Sequence, residues 1–138
     1  MKTVLLISCL IVSGTIIATG QNYLGLSQSK IIKKYGDPDI KGVNFVVYFD
    51  QAEEGTNTYF FDDTNKCNAF VISRGANYLD DYKKLLRRTF IITTENNYVT
   101  INRDTNFKAE LTNSPDQFQI RITYLKENPD FTENFVSN

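Results

Sequence analysis

"FKAELTNSPDQFQIRITY", residues 107–124, decides the fold. Phe107, Ala109 and Leu111 alternate with Lys108, Glu110 and Thr112. Phe118, Ile120, Ile122 and Tyr124 alternate with Gln119, Arg121 and Thr123. Successive side chains of a strand point to opposite faces, so this alternation buries one face and wets the other, as antiparallel sheets do. "TNSPD" (Thr112 to Asp116) between the two runs has the chemistry of a turn. Just upstream, Val99 and Ile101 alternate with Thr100 and Asn102, and "NRDTN" (Asn102 to Asn106) connects that run to the next. The last third of the chain therefore predicts three antiparallel strands.

Working back toward the N-terminus, Leu79, Tyr82, Leu85, Leu86 and Phe90 recur at spacings of three and four. This stripe predicts a helix over about Asn77 to Thr89. Asp80 and Asp81 fall in its first turn and Arg87 and Arg88 in its last, the arrangement the helix dipole favours, and Asp80 to Lys84 is a favourable i,i+4 pair. Further back lie "VNFVVYF" (Val43 to Phe49), "TYFF" (Thr58 to Phe61) and Cys67 to Ser73, all rich in β-branched and aromatic residues. The turn "DDTNK" (Asp62 to Lys66) makes a hairpin of the last two. A first helix reads Ser27 to Tyr35, with Ser27 as N-cap and Ile31, Ile32 and Tyr35 on one face. Gly36 suits a left-handed stop, and Pro38 forbids continuation.

The order is helix, three strands, helix, three strands. The fold class this predicts is α+β: a two-layer sandwich with short helices packed on a mainly antiparallel sheet. The order also invites an internal duplication, αβββαβββ, with halves at residues 25–73 and 77–125 of a single domain spanning 21–126. Residues 127–138 read as a flexible tail.

With 41% hydrophobic and 22% charged residues, the 138-residue chain has the composition of a globular protein. A net charge of −1 supplies no field toward nucleic acid or an anionic surface. Met1-Lys2, the apolar run Val4 to Ala18 and the small residues Ala18-Thr19-Gly20 have the layout of a secretory signal peptide over residues 1–20. That run is too short to span a bilayer, so no membrane span is expected after its removal. Cleavage at Cys9, which follows "LLIS", would leave an apolar run behind the cut, so lipidation there is disfavoured. Cys67 then remains alone, and its place at the start of an apolar strand predicts burial.

Gly25-Leu26-Ser27, then Ile31, then Tyr35-Gly36-Asp37-Pro38 resembles the start of the SmpA/OmlA family. These are small proteins of the bacterial outer membrane that include a subunit of the β-barrel assembly machinery. "VVYF" (Val46 to Phe49) and "TYFFDDTNKCNAF" (Thr58 to Phe70) resemble the strands of that family, so the likeness covers roughly residues 25–73. Tandem β-lactamase-inhibitor proteins share a related helix-on-sheet design. The resemblance implies a periplasmic or extracellular place in a Gram-negative envelope and work by protein contact. Gln21 stands where the family carries its lipid-bearing cysteine, and the half from Asn77 onward has no counterpart in the short members.

The chain has no His, which removes the commonest general base, the usual partner of a nucleophilic Ser or Cys, and the commonest zinc ligand. No phosphate-binding glycine motif occurs. Asp62-Asp63-Thr64-Asn65 lacks the ligand spacing of a calcium loop and reads as a turn. Asp50, Glu53 and Glu54 form an acidic loop with nothing to fix a catalytic separation. Lys83, Lys84, Arg87 and Arg88 read as a solvated helix face. Tyr59, Phe60 and Phe61 are different, because three consecutive aromatics on a strand cannot all reach one buried face. Either both faces are covered, or Phe60 is offered to a partner.

The expectation is a non-catalytic binding or scaffold module, not an enzyme, with no cofactor, no metal and no nucleic acid. Its partner is a protein of the envelope, and its candidate partner surface is Tyr48, Tyr59, Phe60 and Phe61. The alternative is a small-ligand carrier or hydrolase that uses carboxylates and tyrosines on the sheet face.

Overall fold

The computed structural model describes residues 23–100 and 107–125. The leader at 1–20, the tail at 127–138, and Ile101 and Asn102 of the expected strand lie outside the described residues.

Helix α1 (Gln28–Tyr35) opens at Ser27, whose hydroxyl accepts from the Lys30 N–H, and stops at Gly36 in the left-handed region at φ 89°. The Gly36 N–H returns to the Ile32 carbonyl at 2.8 Å. Strands β1 (Ile40–Lys41), β2 (Phe45–Asp50), β3 (Gly55–Phe61) and β4 (Cys67–Gly75) follow. A 3-10 turn (Ala76–Tyr78) leads into helix α2 (Leu79–Thr89), and then come β5 (Phe90–Thr94), β6 (Asn97–Thr100), β7 (Phe107–Asn113) and β8 (Gln117–Tyr124).

The eight strands form one sheet in the order β1-β2-β3-β4-β8-β7-β6-β5. Every ladder is antiparallel, so the α+β class with a mainly antiparallel sheet holds. Each half contributes four described strands where three were expected. The additions are β1, a pair of residues after Pro38, and β5. The β5 stretch escaped because α2 ends without a glycine: Phe90 serves as its C-cap in an extended conformation, and the β-branched run continues directly as strand. The strand expected over Val43 to Phe49 is β2 and begins at Phe45, because Gly42-Val43-Asn44 makes the turn, with the Gly42 N–H on the Phe45 carbonyl.

The pairing register sorts the sheet into two faces. Tyr59 opposes Val46 and Phe70, Phe70 opposes Ile122, Ile122 opposes Ala109, and Ala109 opposes Tyr98. These residues are buried, and they share one apolar cluster with Ile31 of α1 and with Tyr82 and Leu86 of α2. Tyr82 and Leu86 stand four apart on one stripe of their helix, and the Tyr82 ring meets Phe118 at 5.4 Å. Full burial of each such side chain stabilises by about 1.5–3 kcal/mol.

The segment before α1 is strapped to the sheet. Gly25, at φ 90°, donates its N–H to the Cys67 carbonyl at 2.7 Å, and the Cys67 N–H returns to Leu26 at 2.7 Å. The Tyr124 hydroxyl donates to the Leu24 carbonyl at 2.7 Å, tying the end of β8 to the same strap. Cys67 is buried at 1% exposure. Among the described residues no helix is long and apolar enough to cross a membrane.

Candidate interface on the open face of the sheet

The other face carries no helix residue of that core cluster. Phe45 opposes Phe60, Phe60 opposes Ala69, and Ala69 opposes Thr123. Thr123 opposes Lys108, Lys108 opposes Val99, and Val99 opposes Ile91. In the adjoining row Ile40 opposes Val47, Val47 opposes Thr58, Thr58 opposes Val71, and Val71 opposes Arg121. A third row runs from Phe49 through Thr56 and Ser73 to Gln119.

The face is uneven. Its β7–β8 part carries exposed Arg121 and Gln119 and a Lys108–Glu110 pair at 2.8 Å, while Ala69 and Val99 are buried and the Thr123 hydroxyl is buried between them. Its β1–β3 part is apolar: Phe49 is 52% exposed and Ile40 46%, with Phe45, Val47 and Phe60 half-buried between them. The rings of Phe45 and Phe60 lie 6.4 Å apart, and the Arg121 guanidinium stands 5.9 Å over Phe60. A cation so placed over a ring adds about 0.5–1 kcal/mol at an exposed site and puts a positive charge at the margin of the patch.

The expected partner residues separate across the sheet. Phe60 lies on the open face. Tyr59 and Phe61 are 2% and 5% exposed and belong to the core on the helix side, so neither can serve as a contact surface. Strand alternation is the reason, carried through the bulge at Phe60/Phe61. Tyr48 is also on the helix side, half-buried, and its hydroxyl donates to the Gly36 carbonyl at 2.9 Å. It packs with Tyr35 at 5.5 Å and Tyr59 at 6.1 Å, and burial is the main cause that raises its phenol above the ordinary value. The patch instead includes Phe45, Val47 and Phe49. Their signal was present in "VNFVVYF": unlike the last-third strands, this one is apolar in both phases of the alternation.

The acidic loop serves a different end. Arg74, whose side chain is 0% exposed, sits on the helix side beneath the β2–β3 turn. Its Nε donates to Glu53 Oε2 at 2.8 Å, and its Nη1 to the carbonyls of Thr56 at 2.9 Å and Ser73 at 2.8 Å. Its Nη2 donates to Asp50 Oδ2 and Asn57 Oδ1, each at 3.0 Å. All the donors of the guanidinium are thereby used. The Tyr82 hydroxyl donates to Glu53 Oε2, and the guanidinium stands 5.8 Å over the Tyr82 ring. Burial comes first among the causes that raise the Tyr82 phenol, and the Glu53 bond acts in the same direction. Gly55 leaves room for this: a Cβ there would meet the Ser73 carbonyl at 2.0 Å and Arg74 Cδ at 2.6 Å. The cluster joins the β2–β3 hairpin to β4 and α2. Nothing in the sequence marked Arg74, because one Arg in a strand gives no local pattern.

The remaining candidates fall to local structure. Asp62 Oδ1 accepts from the Thr64 N–H, the Thr64 hydroxyl and the Lys66 N–H, at 2.9, 2.7 and 3.0 Å. The first of these causes, the Thr64 hydroxyl, and the two backbone bonds hold its carboxyl below the ordinary value. That oxygen closes a turn. Burial pushes the Cys67 thiol up to about 12, far from a reactive thiolate. Lys84, Arg87 and Arg88 are exposed and Lys83 half-buried.

No protein-family model matches the chain, and no curated protein matches it. Among solved structures, a DUF4309 family protein (YjgB) from Bacillus subtilis aligns with 72% of this chain and 78% of its own at 7% identity and a TM-score of 0.41.

Proposed function

We propose that the protein is a secreted or periplasmic, non-catalytic binding module of the bacterial envelope that works through protein contacts on the open face of its sheet. The observation that carries this reading is the apolar patch of Ile40, Phe45, Val47, Phe49 and Phe60, with Arg121 at one margin and the Asp39 carboxylate, which accepts from the Phe49 N–H at 2.7 Å, at the other. These side chains lie outside the core cluster, and the exposed surface of Phe49 and Ile40 lowers solubility, which favours a use in association. The partner that fits is a protein surface of apolar residues with a carboxylate placed to meet Arg121. The leader-like N-terminus and the likeness of residues 25–73 to SmpA/OmlA proteins support an exported location.

The same reading takes the molecule as a two-layer sandwich of helices on a sheet, built from two successive helix-then-strands units. The end-to-end order of the strands, with β4 and β8 meeting in the middle, supports that view. Saturation of Arg74 by Asp50 and Glu53 favours binding over hydrolysis, because two of the three loop carboxylates are already engaged.

The test places a photo-crosslinking residue at Phe49 and, separately, at Lys84 of α2 in the exported chain. A discrete protein adduct from position 49, absent from position 84 and lost when Phe45→Ser and Phe60→Ser are combined in a folded chain, supports the reading. Equal adducts from both positions overturn it, and so does adsorption to lipid vesicles that depends on the same phenylalanines.

A further inference from the structure

The two edges of the sheet are built differently. β1 is two residues long, a short edge of the kind that resists pairing. At the other edge stands β5, "FIITT", with no charge and no proline. No strand lies beyond it among the described residues, so half of its backbone N–H and C=O groups point outward. Ile91 and Ile92 are 43% and 46% exposed, one on each face of the sheet. The ladder to β6 slips between Ile92 and Thr94, which leaves Phe90–Ile92 as the regular part of the edge.

We propose that β5 is a self-association edge. Two copies pair β5 to β5 antiparallel about a two-fold axis perpendicular to the sheet, and their sheets become one. Such an axis keeps the same face up in both copies, so a residue at the centre must face its own counterpart. Ile91 is the middle of the regular segment. It meets Ile91 of the second copy, and Phe90 meets Ile92.

Charge selects both the occupant and the direction. Arg87 and Arg88 precede the strand and Glu95 follows it, all exposed. Antiparallel pairing brings the arginine end of each copy to the glutamate end of the other. Parallel pairing would stack like charges, which is destabilising. The edge is thus electrostatically complementary to itself, and a second copy of this chain fits it.

The decisive experiment is cysteine crosslinking in the full chain with Cys9→Ser as background, where the remaining Cys67 is buried. Self-facing residues of an antiparallel pair have Cα atoms about 4.5–5.5 Å apart, inside the roughly 4.4–6.8 Å a disulfide spans. Under mild oxidation, Ile91→Cys is expected to form a covalent dimer, and Thr94→Cys, which this register places beyond the Phe90–Ile92 pairing and beside the α2 end of the second copy, is expected to stay largely monomeric. Sedimentation of the unmodified chain should show a concentration-dependent dimer. Ile91→Lys should weaken it by tenfold or more, and Arg87→Glu with Arg88→Glu should weaken it with recovery on adding Glu95→Lys. A chain that sediments as a monomer throughout overturns the proposal. So does a dimer that Ile91→Cys crosslinks no faster than Thr94→Cys. If Ile91→Lys fails to fold, the cysteine pair alone decides.

Discussion

Replacing Arg74 by Met removes the guanidinium and keeps most of the side-chain length, so it isolates the electrostatic role of the cluster. The variant leaves Asp50 and Glu53 without their cation and withdraws a donor from the carbonyls of Thr56 and Ser73 and from the Asn57 amide oxygen. Removing one partner of a buried ion pair costs about 3–5 kcal/mol. The two carboxylates are each 15% exposed, so water reaches them in part, and the lower end of the range applies. A loss of about 3 kcal/mol in a domain this size lowers the melting temperature by roughly 12 °C or more. Urea unfolding followed by tyrosine fluorescence measures it, since the chain contains no Trp. A second variant tests the cause: Arg74→Met combined with Asp50→Asn and Glu53→Gln should recover part of the loss, because no uncompensated charge then remains. A loss under about 1 kcal/mol, or a triple variant no more stable than the single one, would refute the account of Arg74 as the clamp between hairpin, β4 and α2.

Gly55→Ala should cost about 2–3 kcal/mol in the same assay, since its methyl would meet the Ser73 backbone, which cannot step aside as a side-chain tip could. Native Cys67 should resist alkylation at pH 8 and become fully reactive in urea, because burial holds its thiol at about 12 against an ordinary 9.0; rapid native labelling would place it outside the core. Cys67, Tyr59 and Tyr82 all have folded values raised above their unfolded ones, so the folded state binds more protons than the unfolded state at alkaline pH. Stability should be unaffected by these groups below their ordinary values of 9.0 and 10.0 and fall as pH rises beyond them, a trend that urea midpoints taken up to pH 11 will check. Phe45→Ser with Phe60→Ser removes two half-buried rings and should cost about 2–3 kcal/mol while leaving the chain folded and abolishing the crosslink from position 49.

What could be read from the residues was whatever a local period or a turn residue encodes. The alternation of residues 107–111 and 118–124 is borne out as β7 and β8, and the Ser27–Gly36 unit as a capped helix. The features that escaped depend on partners far away in the chain. β1 is strand only because Val46 and Val47 lie beside it. β5 lacks the glycine that would have marked the end of α2, so the stripe ran on through Phe90. Arg74 draws on residues between 50 and 82, a spread no short window contains. The aromatic triplet gave the right question, since Phe60 does oppose the face of Tyr59 and Phe61. Which aromatics were spent on the core became clear only with the register.

The two halves of the sheet answer the same physical demand differently, and the difference lies on one face. Each must present a continuous apolar surface to the helices, and each does. Tyr59, Phe70 and Ile72 meet it from β3 and β4, and Ala109, Leu111 and Ile120 from β7 and β8. Away from the helices, β7 and β8 turn Lys108, Glu110, Gln119 and Arg121 outward, the ordinary solution for a solvated face. The strands β2 and β3 place Phe45, Val47, Phe49 and Phe60 in the equivalent positions. Packing beneath does not require them, because the core phase of the same strands is already filled. Fold stability therefore explains one phase of the alternation throughout the sheet, and the apolar residues of the other phase in its first half are what the proposed association would use.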